Sequence, residues 1–169
     1  DEREAAYASE LPRLIALAKE KTEHYQQSLA DIDPAAITSS AALATVPVLR
    51  KSTLIQEDAQ PLAIKKVIPH DFGETHQIFQ SPGPIFEIGM RKKDWWRFGR
   101  ALAPIGIGKG DIIQNCFSYH FTPAGQMFES AAAAVGAVTV PAGTGQTELQ
   151  AKSIAALKVT AYAGTPDYL

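Results

Sequence analysis

A chain of 169 residues with 46% hydrophobic and 20% charged side chains has the balance of one ordinary folded domain, able to bury a core without disulfides or metals, and neither disordered nor membrane-spanning. Its 16 Lys and Arg against 18 Asp and Glu, a net charge of −2, argue against a phosphate-neutralising surface for nucleic acid. The single cysteine, Cys116, excludes an intrachain disulfide framework and a four-cysteine metal site, and in its apolar surroundings it reads as a small buried hydrophobe.

The opening residues Asp1-Glu2-Arg3-Glu4 lack the basic and apolar regions of a signal peptide, so a cytoplasmic protein is expected. Leu11, Leu14, Ile15, Ala18, Tyr25 and Leu29 fall largely on one helical face, which predicts an amphipathic helix over Leu11 to Ile32, ended before Pro34. The stretch Ala42 to Glu87 is rich in Pro, Gly and Thr. It predicts short strands around Leu62 to Ile68 and Gln77 to Phe79, with turns at Pro69-His70-Asp71 and Ser81-Pro82-Gly83-Pro84. A helix is predicted over Asp94 to Ile105, burying Trp95, Phe98, Leu102 and Ile105. Arg91, Lys92, Lys93, Arg97 and Arg100 then form a solvated rim in preference to an anion site.

From residue 110 onward the only acidic or basic side chains are Asp111, Glu129, Glu148, Lys152, Lys158 and Asp167. Apolar runs at Asp111 to Phe117, Ala137 to Ala142 and Val159 to Gly164 alternate with helix-forming segments at Thr122 to Val135 and Gln146 to Leu157. That order predicts strand, helix, strand, helix, strand in a parallel sheet. Thr122-Pro123 suits a helix start, Gly136 a helix end, and Thr147 with Gln150 a capping box.

His24, His70, His76 and His120 show no metal-ligand spacing. His120, however, follows a strand's carboxyl end, where open parallel sheets collect ligands. Ala142-Gly143-Thr144-Gly145 and Gly164-Thr165-Pro166 fall at the equivalent ends of the other strands, so three loops converge on one edge. The glycines alone are equally explained as tight turns. Ala142 to Gln146 precedes a helix and could cradle an anion, but it matches neither the dinucleotide fingerprint nor the P-loop.

Several segments carry a more specific signal: Gly108 to Tyr119, Gly136-Ala137-Val138-Thr139-Val140-Pro141, Gly143 to Gln150, Gly164 to Leu169, and Val46-Pro47-Val48-Leu49-Arg50-Lys51-Ser52-Thr53-Leu54 near the start. Taken in chain order they resemble the phenylacetate-CoA ligase family of adenylate-forming enzymes across nearly the whole chain. The resemblance implies an α/β fold: an N-terminal helical segment (residues 1–58), then a partial ligand-binding subdomain (59–169) with a mostly parallel sheet of βαβ units. Together these would be the incomplete N-terminal part of the family's large domain.

The implied activity is that of an AMP-forming ligase, which uses ATP and Mg²⁺ to turn a small carboxylic acid into an acyl-adenylate and then transfers the acyl group to CoA. By position the resemblance assigns Tyr119, His120, Phe121, Gly125, Gly143, Gly164 and Thr165 to the acid. It assigns Lys51, Ser81 and Gly83 to the nucleotide. Where the family carries a Ser/Thr- and Gly-rich phosphate loop, this chain has Ser81-Pro82-Gly83-Pro84, whose prolines lack N–H donors. The alternative is therefore a noncatalytic binding module derived from the same fold. The likeness is still running at Leu169, so the 169 residues are expected to be inactive alone, to hold no cofactor tightly, and to expose apolar surface open to homodimer formation.

Overall fold

The computed structural model describes residues 2–50, 52, 66–69, 72–82 and 85–168. The expected strand at Leu62 to Ile68, the turn at Pro69-His70-Asp71 and the boundary between residues 58 and 59 lie largely or wholly outside these. The chain divides into two compact units, one of residues 1–73 with 82–85 and one of residues 74–81 with 86–169.

In the first unit, helix α1 (Glu2–Lys21) carries Glu2 and Glu4 in its first turn and Lys19 and Lys21 in its last, each complementing the helix dipole. It begins well before the predicted Leu11 because residues 2–10 are good helix formers lacking a strong apolar stripe. It also stops earlier than predicted. Thr22 turns extended, with φ −131°, and its hydroxyl accepts from the Tyr25 N–H, starting a second helix, α2 (Glu23–Ser28). One predicted helix is thus two, folded back so that Leu11, Ile15, Leu29 and Ile37 form a common core. Lys19 Nζ closes the return by donating to the Ile32 carbonyl at 2.7 Å. A short helix, α3 (Ser40–Leu43), is tied to α1 through Glu4, whose carboxylate accepts from the Ser40 hydroxyl at 2.6 Å and N–H at 3.2 Å.

Strands β1 (Thr75–Ser81) and β2 (Ile85–Met90), which but for Ile85 belong to the second unit, pair as a two-stranded sheet. Phe79 of β1 meets Trp96 edge-on, and Trp95 Nε1 donates to the Ile88 carbonyl. The helix predicted from Asp94 is confined to α4 (Gly99–Leu102), followed by a 3₁₀ turn over Ala103–Ile105. Asp94 (φ 48°) and Arg97 (φ 59°) are left-handed. The Asp94 carboxylate caps the late start by accepting from the N–H groups of Phe98 and Gly99. Ile105, expected inside, is 70% exposed, because the tighter 3₁₀ turn rotates it off the buried face.

Strands β3 (Ile112–Asn115), β4 (Val138–Pro141) and β5 (Ala161–Ala163) form a sheet of order β4-β3-β5. Both pairings are parallel, with Ile113 opposite Thr139 on one side and Ala161 on the other. Helix α5 (Ala124–Val135) links β3 to β4, and α6 (Thr147–Leu157) links β4 to β5. Strand alternation sorts the packing. Ile113, Ala161 and Ala163 pack with Ala131 and Ala132 of α5 and with Leu102, while the fully buried Gln114 points the other way and donates to the Gln150 carbonyl of α6. Ala131 and Ala132 have no exposed surface; their small side chains let the helix lie close on the sheet.

Gly136 ends α5 in the left-handed conformation, φ 84°, as predicted. The helix starts differ from expectation. Pro123 occupies the N-cap of α5 and left-handed Gln146 that of α6, neither with a side-chain cap, so neither the Thr122 cap nor the Thr147–Gln150 box forms. No helix among the described residues is long and apolar enough to cross a membrane.

Candidate functional site

The three loops leaving the carboxyl ends of β3, β4 and β5 surround a cavity of about 420 Å³, within the usual size range of small-molecule sites. Its walls come from Phe117 and Ser118 after β3, Gly143 and Thr144 after β4, Thr165 after β5, and Ala124 at the start of α5. Cys116 and Gln150 also line it. Among the described residues no charged side chain does, so the space favours the uncharged body of a ligand over a bare anion.

Two amides hold the loops in place. Asn115, fully buried at the end of β3, donates through Nδ2 to the Gly125 carbonyl at 2.8 Å and to the Tyr119 hydroxyl at 2.9 Å. Its Oδ1 accepts from the Phe117 N–H, and its backbone carbonyl accepts from the Gly143 N–H at 3.0 Å. One buried side chain therefore fixes the β3 and α5 ends while its own backbone holds the β4 loop. Gln150 reaches back from the first turn of α6: its Nε2 donates to the carbonyls of Gly143 (2.9 Å) and Gly145 (2.6 Å), and its Oε1 accepts from the Cys116 thiol at 3.2 Å. The loop it secures is left-handed at Gly143, Gly145 and Gln146, so glycine is favoured at the first two positions.

Of the residues assigned from sequence to the acid, Gly143 and Thr165 line the cavity. Tyr119 turns inward, its ring against Gly125, where a Cβ would come within 2.9 Å of it. Burial, helped by the Glu129 carboxylate, drives its phenol well above the ordinary value, so it stays neutral at all physiological pH. His120 is exposed, its N–H donating to Ser118 Oγ. Phe121 is 76% exposed, and its carbonyl accepts from the Gln80 N–H of β1 at 2.8 Å. Gly164 lies against the ring of Tyr162. Ser81 ends β1; Lys51 and Gly83 lie outside the described residues. Among the described residues no group of three or more His, Cys, Asp or Glu could hold a metal ion.

Sequence reasoning missed Asn115 and Gln150, and took Cys116 for packing alone. Cys116 is indeed buried, but it also meets the cavity. The available signal was an amide at the end of an apolar strand and another just after a Gly-x-Gly turn, both places where loose carbonyls need donors.

No model of a known protein family matches the chain. It is 27% identical over 164 residues to a phenylacetate-coenzyme A ligase of Thermus thermophilus, covering 94% of this chain and 36% of that protein. The chain thus spans about a third of the length of that curated relative. Among solved structures it superposes on 2-hydroxyisobutyryl-CoA ligase in an open conformation with 2-HIB-AMP and CoA, with TM-score 0.85, 22% identity, and coverage of 99% of this chain and 38% of that one. The same ligase in its thioesterification state gives TM-score 0.80 at 22% identity. The chain resembles a phenylacetate-CoA ligase over nearly its whole length, and its α/β architecture is that of part of the adenylate-forming ligase fold.

Proposed function

We propose that the chain is part of an AMP-forming acyl- or aryl-CoA ligase and that the 420 Å³ cavity receives the organic body of its carboxylic acid. The observation that carries this reading is a cavity with no charged wall among the described residues, at the carboxyl edge of a parallel sheet, where ligands of open α/β sheets gather. In such a place the acid's hydrocarbon part leaves water, and a reactive mixed anhydride is kept from hydrolysis. Gly143 and Thr165 would form its walls. Tyr119, His120, Phe121 and Gly125 stand on the stretch around Ser118 and Thr122, which both line it, and Gly164 precedes Thr165.

ATP, Mg²⁺ and CoA would serve the whole protein. The described residues supply no metal cluster, so no step through magnesium is assigned to them. Ser81, with Lys51 and Gly83, remains the candidate for nucleotide contact. Residues 1–58 would act as a helical segment and residues 59–169 as a partial ligand-binding subdomain, in a cytoplasmic enzyme able to form a homodimer.

A second reading has its own observation: Pro82 and Pro84 offer no N–H where the resembled family binds phosphate, which suits a binding module that has lost adenylation. Pyrophosphate release by the full-length protein, measured across aryl and aliphatic acids, separates the two. Turnover with one class of acid is expected, and Gly143→Val should narrow the range of acids used. Intact ATP binding with no turnover for any acid would establish the binding module instead. The 169-residue chain alone should release no pyrophosphate.

A further inference from the structure

A second concavity, of about 220 Å³, opens elsewhere in the same unit. Three consecutive cations, Arg91, Lys92 and Lys93, line it directly after β2. Gln126 and Ser130 of α5 add an amide and a hydroxyl from a separate element, and His76 of β1 adds an imidazole. Among the described residues no Asp or Glu lines it, and the three cations form no ion pair. A simple solvated rim does not account for polar side chains from two other elements facing the same space. Trp96 forms one wall and is itself held edge-on by Phe79, so the concavity has a fixed boundary.

We infer that this is an anion site for the phosphate group of a small molecule. Clustered positive charge beside polar side chains of other elements, with no acid among the described residues lining the space, is an arrangement that recognises phosphate. The volume lies below the roughly 300 Å³ at which sites for drug-sized ligands begin, so it takes a terminal phosphate and not a whole cofactor. The site is separate from the acid cavity. Ala124 of α5 lines the cavity, whereas Gln126 and Ser130 lie roughly 200° and 240° further round the helix, at about 100° per residue. The inference does not rest on the ligase reading.

Amide and indole NMR of the ¹⁵N-labelled chain tests it, with inorganic phosphate, pyrophosphate and AMP as probes and sodium chloride at matched ionic strength as control. Saturable shifts of the Trp96 indole and the Arg91–Lys93 amides are expected. The probe that saturates at the lowest concentration identifies whether the group comes from free phosphate, a polyphosphate or a nucleotide. The Arg91→Ala/Lys93→Ala variant alters exposed side chains only and should weaken binding by about tenfold or more. Equal shifts from chloride, or phosphate shifts unchanged in that variant, would overturn the proposal.

Discussion

Gln150 and Tyr162 make opposite demands on the same face of the sheet. Gln150 uses both ends of its amide, so Gln150→Glu, nearly identical in shape, would set an oxygen against two carbonyls. A loss of about 1 kcal/mol is expected, the usual net worth of a hydrogen bond between partly exposed groups, read from urea unfolding. Broadened amide signals for Gly143 and Gly145 should accompany it, with weaker binding of any acid that uses the cavity. Tyr162 instead buries a hydroxyl that forms no hydrogen bond of good geometry among the described residues. Its burial and the neighbouring Cys116 keep the phenol protonated. Tyr162→Phe removes that uncompensated group and should raise stability by about 1 kcal/mol. A loss in the same urea assay would mean that a water holds the hydroxyl.

At the level of elements, the turn into β3 is set by a carboxylate. Asp111 accepts from the Gly108 N–H at 2.8 Å, and this bond, with help from the Thr160 hydroxyl, holds its carboxyl below the usual aspartate range. A depressed carboxylate stabilises the fold above its unfolded pKa, and that contribution disappears as pH falls through the folded value. The unfolding midpoint of the native chain should therefore drop below about pH 4, and Asp111→Asn should flatten that part of the profile.

The same elements show how far the sequence could be followed. Helices α5 and α6 and the three parallel strands were legible because alternating β-branched runs and Gly136 act locally. The breaks were not. Thr22 could have continued α1 or capped α2, and it does the latter because Leu29 and Ile37 then reach Leu11 and Ile15. Asp94 and Arg97 adopt left-handed backbone that periodicity does not reveal, and Gln150 forsakes a capping box for loop carbonyls. Each outcome is a choice among hydrogen bonds of similar strength, decided by tertiary partners. The site was legible in its loops and less so in its side chains. Glycine-rich strand ends pointed to the right edge, but Asn115 and Gln150 act through contacts distant in sequence.

On the scale of the molecule, the central strand of the sheet is the earliest of its three in the chain. β3 is made first, β4 follows after α5, and β5 comes last, with the Ile112 N–H bonded to the Thr160 hydroxyl across 48 residues. A ribosome delivers these strands in that order. Until Ala163 has emerged, β3 carries a row of open backbone donors and acceptors along one side, a template for pairing with any neighbouring nascent chain. A chain cut after Leu157 should therefore sediment as aggregate where the 169-residue chain remains dispersed. The three-residue strand Ala161–Ala163 contributes little surface, yet it is the piece that closes the second side of β3 during synthesis.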